Sequence, residues 1–104
     1  VEIVPDIATL LTKVDAVLLE SVDGRPHLAQ AKAVIAAGKP LFIDKPLSAT
    51  LEDAWEIARL AKAKGVPWFS SSSLRWAKSL AALEQPNLKG AMVWGPGPLE
   101  EHHY

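Results

Sequence analysis

Three polar clusters in this chain each follow a short apolar run, and together they hold most of the side chains able to do chemistry. Glu20 and Ser21 come after Ala16-Val17-Leu18-Leu19, with His27 a little further on. Asp44, Lys45 and Pro46 come after Leu41-Phe42-Ile43, and Ser70, Ser71, Ser72, Ser73 and Arg75 come after Val66-Pro67-Trp68-Phe69. If the apolar runs are parallel strands, the clusters share one edge of a sheet. Open α/β sheets bind ligands beyond the carboxyl ends of their strands. An edge carrying Lys, Arg, hydroxyls and helix N-termini suits an anionic ligand such as a dinucleotide.

Lys45 carries the most information. It closes a buried strand, is flanked by Asp44, and precedes Pro46, whose ring restricts the lysine backbone and allows a cis bond. Such a lysine is either a cation that polarises a substrate carbonyl or alkoxide, or a strand-end charge paired with a neighbouring carboxylate. His27 lies near a helix N-terminus, where the dipole disfavours its protonated form, so it either bonds backbone groups or contacts a cofactor. The serines at 70 to 73 form a polar turn or bind phosphate and ribose. Arg75 either clamps an anion or stacks on Trp76 at the surface.

The elements that must position these groups are legible from spacing. Asp6 to Val14 suggests a short helix before the first strand. Pro26 suits a first helical turn, Leu28, Ala31, Val34 and Ile35 recur at helical spacing, and Gly38 supplies a left-handed stop. Thr50-Leu51-Glu52-Asp53 fits a capping box, and Leu51, Ala54, Trp55, Ala58 and Ala61 form the expected buried stripe. Acidic Glu52, Asp53 and Glu56 sit early and Arg59, Lys62 and Lys64 late, as the helix dipole favours; Gly65 ends the helix. Ala37-Gly38-Lys39-Pro40-Leu41-Phe42 echoes Lys64-Gly65-Val66-Pro67-Trp68-Phe69, so two successive strand–helix units end alike. That is the signature of right-handed crossovers: an α/β fold with a parallel sheet and helices on both faces. Leu74 to Leu83 reads as a further helix. Val1 to Val4 and Ala91 to Trp94 read as strands that need neighbours, so the chain is expected to continue at both ends.

Composition narrows the function classes. A net charge of −1 leaves no basic patch for nucleic acid or anionic membrane, and no apolar run is long enough to span a bilayer. Without cysteine there is no disulfide or thiolate site, which suits a reducing cytoplasm. Gly95-Pro96-Gly97-Pro98 is no dinucleotide fingerprint, because prolines stiffen it and no helix follows. Glu100-Glu101-His102-His103 lacks metal-ligand spacing, so no metal is expected. Trp55, Trp68, Trp76 and Trp94 are expected in core or interface.

Between Val14 and Trp76, the segments Val14-Asp15-Ala16-Val17, His27, Ala36-Ala37-Gly38-Lys39-Pro40 and Asp44-Lys45-Pro46 share an order and spacing. In these, and in Leu51 to Gly65 and Arg75, the chain resembles the Gfo/Idh/MocA family of NAD(P)-dependent oxidoreductases. The family usually has Glu-Lys-Pro; Asp44 keeps that charge with a shorter reach. The resemblance implies a partial Rossmann fold, with 1–88 the C-terminal half of an NAD(P)-binding domain and 89–104 the start of an α/β substrate or oligomerisation domain. It implies NAD or NADP as cofactor, a polyol or sugar-like substrate, and a homo-oligomer. Lys45 would be catalytic, beside the nicotinamide and the reacting carbon, with Pro46 cis. Glu20, Ser21, His27, Asp44, Lys45, Pro46 and Arg75 would lie along the cofactor or near the substrate. A Gly-rich phosphate turn would precede Val1, and an Asp and a His completing the proton relay would follow Tyr104. Two alternatives stand beside hydride transfer: a non-catalytic binding or oligomerisation module of the same fold, and a Schiff-base lyase using Lys45.

Overall fold

The computed structural model describes residues 1–81, 83 and 86–92. Three strands, β1 (Val17–Leu19), β2 (Leu41–Asp44) and β3 (Trp68–Ser71), form one sheet in the order β1-β2-β3, with both pairings parallel. Helix α1 (Ile7–Leu11) precedes β1; α2 (His27–Ala36) and α3 (Leu51–Lys64) make the two crossovers. A 3-10 turn at Ser73–Trp76 and a short α4 (Lys78–Ala81) follow β3. This is the parallel α/β arrangement of a partial Rossmann fold.

Both crossovers step in the same direction across the sheet. Crossovers of one hand then place their helices on the same face. Accordingly α2 and α3 pack side by side, and Val17, Leu19, Leu41 and Ile43 join Ala31, Val34, Ile35, Ile57, Ala61 and Val66 in a single core. Side chains alternate along a strand, so Leu18, Phe42 and Phe69, matched in register, share the opposite face. There Leu18 is 71% and Phe69 58% exposed. Helices on both faces were expected; among the described residues, α2 and α3 cover one. A right-handed crossover stepping the other way would place its helix on the second face.

The helix boundaries follow their signals. Asp6 caps α1 by accepting from the Thr9 amide at 2.7 Å, and that bond holds its carboxyl below the usual carboxylate range. Pro26 sits at the start of α2, and Gly38 beyond its end takes φ 71°. The Thr50 hydroxyl accepts from the Asp53 amide at 3.1 Å, while the reciprocal carboxylate bond of a full capping box is not made among the described residues. Gly65 closes α3 at φ 68°. Nothing lies within 4 Å of a Cβ built on either glycine, so backbone conformation alone asks for glycine there.

Three expectations need correction. The buried stripe of α3 is rotated: Ile57 and Ala61 are buried, Ala54, Ala58 and Leu60 half-buried, and Leu51 and Trp55 exposed. Small residues at 54, 58 and 61 allow close approach to α2, which the bulk of Trp55 would block. Val1 to Val4 form no strand, since no neighbour pairs with them; Val1 and Ile3 are exposed. Leu74 to Leu83 is not one helix: Ala77 is extended at ψ 121° and separates the 3-10 turn from α4. No residue of either piece is buried, and so short a helix without tertiary packing is marginal. In the last expected strand Ala91 and Met92 are not in a strand, and Val93 and Trp94 lie outside the described residues, as do Gly95 to Tyr104.

Candidate active site

Parallel pairing makes the three polar clusters neighbours. Leu19 lies beside Ile43, and Ile43 beside Ser70, so the chain leaves all three strands at one rim. Asp44, the last residue of β2, is in register with Ser71. The rim therefore holds Glu20 and Ser21 from the first loop, Asp44, Lys45 and Pro46 from the second, and Ser70 to Ser72 from the third. The Lys45–Pro46 bond is cis.

Glu20 and Lys45 are exposed; Ser21, Asp44 and Pro46 are half-buried. Among the described residues, no carboxylate lies within 4.0 Å of the Lys45 ammonium, so the strand-end ion pair considered from sequence is absent. Asp44 and Glu20 also lack side-chain partners within that set. The Lys45 ammonium and the Asp44 and Glu20 carboxylates thus keep their donors and acceptors free of intramolecular partners among the described residues. Such a rim can bind an oxygen at Lys45 and hydroxyls at Glu20 and Asp44.

The other candidates are placed differently. The His27 ring has no exposed surface. Its Nε2 lies 2.8 Å from the Ser21 carbonyl oxygen and its Nδ1 3.3 Å from that of Leu47. It is a bonded, buried histidine with no face open to a ligand. The Ser21 hydroxyl donates to Gln30 Oε1 at 2.9 Å, which fixes the first loop against α2. Ser70 and Ser71 extend β3, Ser72 accepts from the Leu74 amide at 3.2 Å, and Ser73 opens the 3-10 turn, so the serine run is strand end and cap. Arg75 is exposed, with its guanidinium carbon 5.8 Å from the Trp76 ring centroid, which is the surface-stacking alternative. Sequence spacing did not single out Gln30 or Leu47. Gln30 stands one turn after His27 on α2, a usable signal; Leu47 acts through its carbonyl, which no side-chain pattern reveals. Trp68 packs against the core, whereas Trp55 and Trp76 are exposed.

Among the described residues there is no group of three or more potential metal ligands, and no helix is long and apolar enough to cross a membrane. A parallel sheet with polar groups gathered at its carboxyl rim defines a Rossmann-type nucleotide-binding unit. Residues 1–72 match the model of the Gfo/Idh/MocA oxidoreductase family, described as an NAD-binding Rossmann fold, and the chain belongs to that family. It is 38% identical over 77 residues to the 1,5-anhydro-D-fructose reductase of Ensifer adhaerens, a match covering 74% of this chain and 23% of that protein. Among solved structures it is similar to the putative oxidoreductase yvaA from Bacillus subtilis, with TM-score 0.67 and 26% identity over 79% of this chain and 24% of that one. The WlbA dehydrogenase from Bordetella pertussis, solved with NADH and UDP-GlcNAcA, superposes with TM-score 0.58 at 26% identity, covering 64% of this chain and 19% of that one. The chain thus spans about a quarter of the length of these relatives.

Proposed function

We propose that this chain supplies the lysine-bearing rim of an oxidoreductase that moves a hydride between a nicotinamide cofactor, NAD or NADP, and a sugar, cyclitol or related alcohol or carbonyl. The carrying observation is Lys45 at the carboxyl end of the central strand, exposed and without a counter-charge among the described residues. The relatives support the substrate class: one is a sugar reductase, and another was solved with NADH and a UDP-sugar acid. Residues 1–88 are read as part of the cofactor domain, which the family match to 1–72 supports, and 89–104 as the start of a second domain.

When bound, the nicotinamide supplies or accepts the hydride. The chain's own task is electrostatic. The Lys45 ammonium holds the substrate oxygen, stabilising the negative charge that develops there as a carbonyl is reduced, or the alkoxide as an alcohol is oxidised. Asp44 and Glu20, at the same rim, are carboxylates able to accept from hydroxyls of the substrate or cofactor. Ser21, bonded to Gln30, offers its backbone and keeps the first loop in place.

The test is Lys45→Ala in the full-length protein, assayed with NADH and NADPH against sugar-derived ketones, 1,5-anhydro-D-fructose first. Loss of one preorganised charge at a developing oxyanion lowers kcat roughly 10²- to 10³-fold. Cofactor affinity, read by NADH fluorescence, should move about twofold or less, because the lysine acts on the reacting oxygen. Equal losses in turnover and cofactor affinity would make Lys45 a binding residue and end this reading.

A further inference from the structure

The described residues bury one polar side chain completely, His27, and hydride transfer gives it nothing to do at the reacting atoms. It is the first residue of α2 and lies between two carbonyl oxygens from two different loops. The Ser21 carbonyl belongs to the loop after β1 and stands 2.8 Å from Nε2. The Leu47 carbonyl belongs to the loop after β2 and stands 3.3 Å from Nδ1. Only Pro46 separates Leu47 from Lys45, and the proline ring fixes one of the few soft torsions between them. A hydrogen on Nδ1, donated to the Leu47 carbonyl, restrains the backbone that carries the lysine; the hold needs that hydrogen, because two ring lone pairs cannot bond two carbonyls.

Both partners are acceptors. A neutral imidazole donates to one of them, and an imidazolium donates to both. The 2.8 Å contact has the length of an ordinary N–H···O bond and the 3.3 Å contact exceeds it, so the Ser21 side is the tighter. An apolar side chain of similar volume would fill this space without desolvating two ring nitrogens. What it would lack is any hold on the two loops.

We propose that His27 is a positioning residue for Lys45, tying the loop after β1 to the loop after β2 and so setting where the lysine leaves the backbone. This rests on the catalytic role proposed for Lys45. The ring does not touch the ligand; it joins the two walls of the rim from beneath. Ser21–Gln30 braces the same loop from α2, so the first loop is the fixed point and the lysine loop is the one restrained.

Two variants test it: His27→Gln keeps an amide donor near the Nε2 position, and His27→Asn keeps one near Nδ1. In the full-length protein, displacement of a catalytic group by about 1 Å costs on the order of tenfold to a hundredfold in kcat. That loss is expected in His27→Gln, which gives up the donor facing Leu47, and a smaller one in His27→Asn, with the cofactor KM nearly unchanged in both. In the Lys45→Ala background the same substitutions should cost nothing further, because a positioning residue has no target left. Unchanged kcat, or a loss that multiplies fully onto that of Lys45→Ala, would overturn the proposal. Amide NMR of the 104-residue chain provides a readout that needs no activity. The amides of Lys45, Leu47 and Ser48 should shift or broaden in His27→Gln, which loses the donor facing Leu47, and move less in His27→Asn, which keeps it, while those of α3 stay put; unmoved loop amides in His27→Gln would overturn the tie. Turnover that survives Lys45→Ala sinks the catalytic reading alone, and the NMR result then decides whether the tie exists.

Discussion

The two faces of the sheet are made from alternating residues of the same strands, yet they are held to different standards. Leu19 is 6% exposed beneath the helices, and Leu18, one residue earlier, is 71% exposed on the other side. Each fully buried aliphatic side chain on the covered face contributes about 1.5–3 kcal/mol relative to exposure. On the open face, the best defined contact is between the Phe42 and Phe69 rings, with centroids 5.0 Å apart and planes tilted by 57°. Hydrophobicity of a residue therefore says little about its contribution here; the direction of the crossovers decides it.

Consecutive leucines sharpen that contrast most. Leu19→Ala should destabilise the chain by about 2–5 kcal/mol, while Leu18→Ala should stay within about 0.5 kcal/mol, both read from urea unfolding midpoints. Similar losses would show that the second face is packed in solution. An intermediate effect is expected at Phe69→Ala, which removes an aromatic pairing worth about 0.5–1.5 kcal/mol without opening a core cavity. The smallest effect is at the margin of the covered side, where α1 rests through Ile7 and Leu11. The Asp6 carboxyl is depressed by the Thr9 amide, so its contribution is complete above the ordinary carboxylate pKa and fades as the pH falls through its lowered folded value. Acidification should thus lower the amide protection factors of residues 7–12 before those of α2, which carries no carboxylate. Loosening of α1 and α2 together would contradict this ordering.

Much of this architecture was legible because local signals agreed with one another. Gly38, Gly65 and Thr50 mark real boundaries, and the apolar runs before Glu20, Lys45 and Ser70 are real strands. From three parallel strands the shared rim followed, and with it Lys45. The failures occur where two answers were locally equal. Helix α3 carries overlapping apolar stripes, and only the presence of α2 selects the one containing Ile57. Residues 74 to 83 have helical spacing but bury nothing, so spacing lacked the packing that makes it count. His27 was recognised as a candidate, but its burial depends on two carbonyls from separate loops, and backbone acceptors carry no sequence signature.

The order β1-β2-β3 has a further consequence for how a long ligand would be gripped. Crevices in doubly wound sheets open where the winding reverses, and no reversal occurs among these three strands. The far sides of both outer strands, β1 and β3, pair with no strand among the described residues. A ligand lying across the shared rim would therefore meet three consecutive loops without crossing a reversal. The spacing of neighbouring parallel strands, about 4.8 Å, then sets how far apart its contacts with successive loops fall.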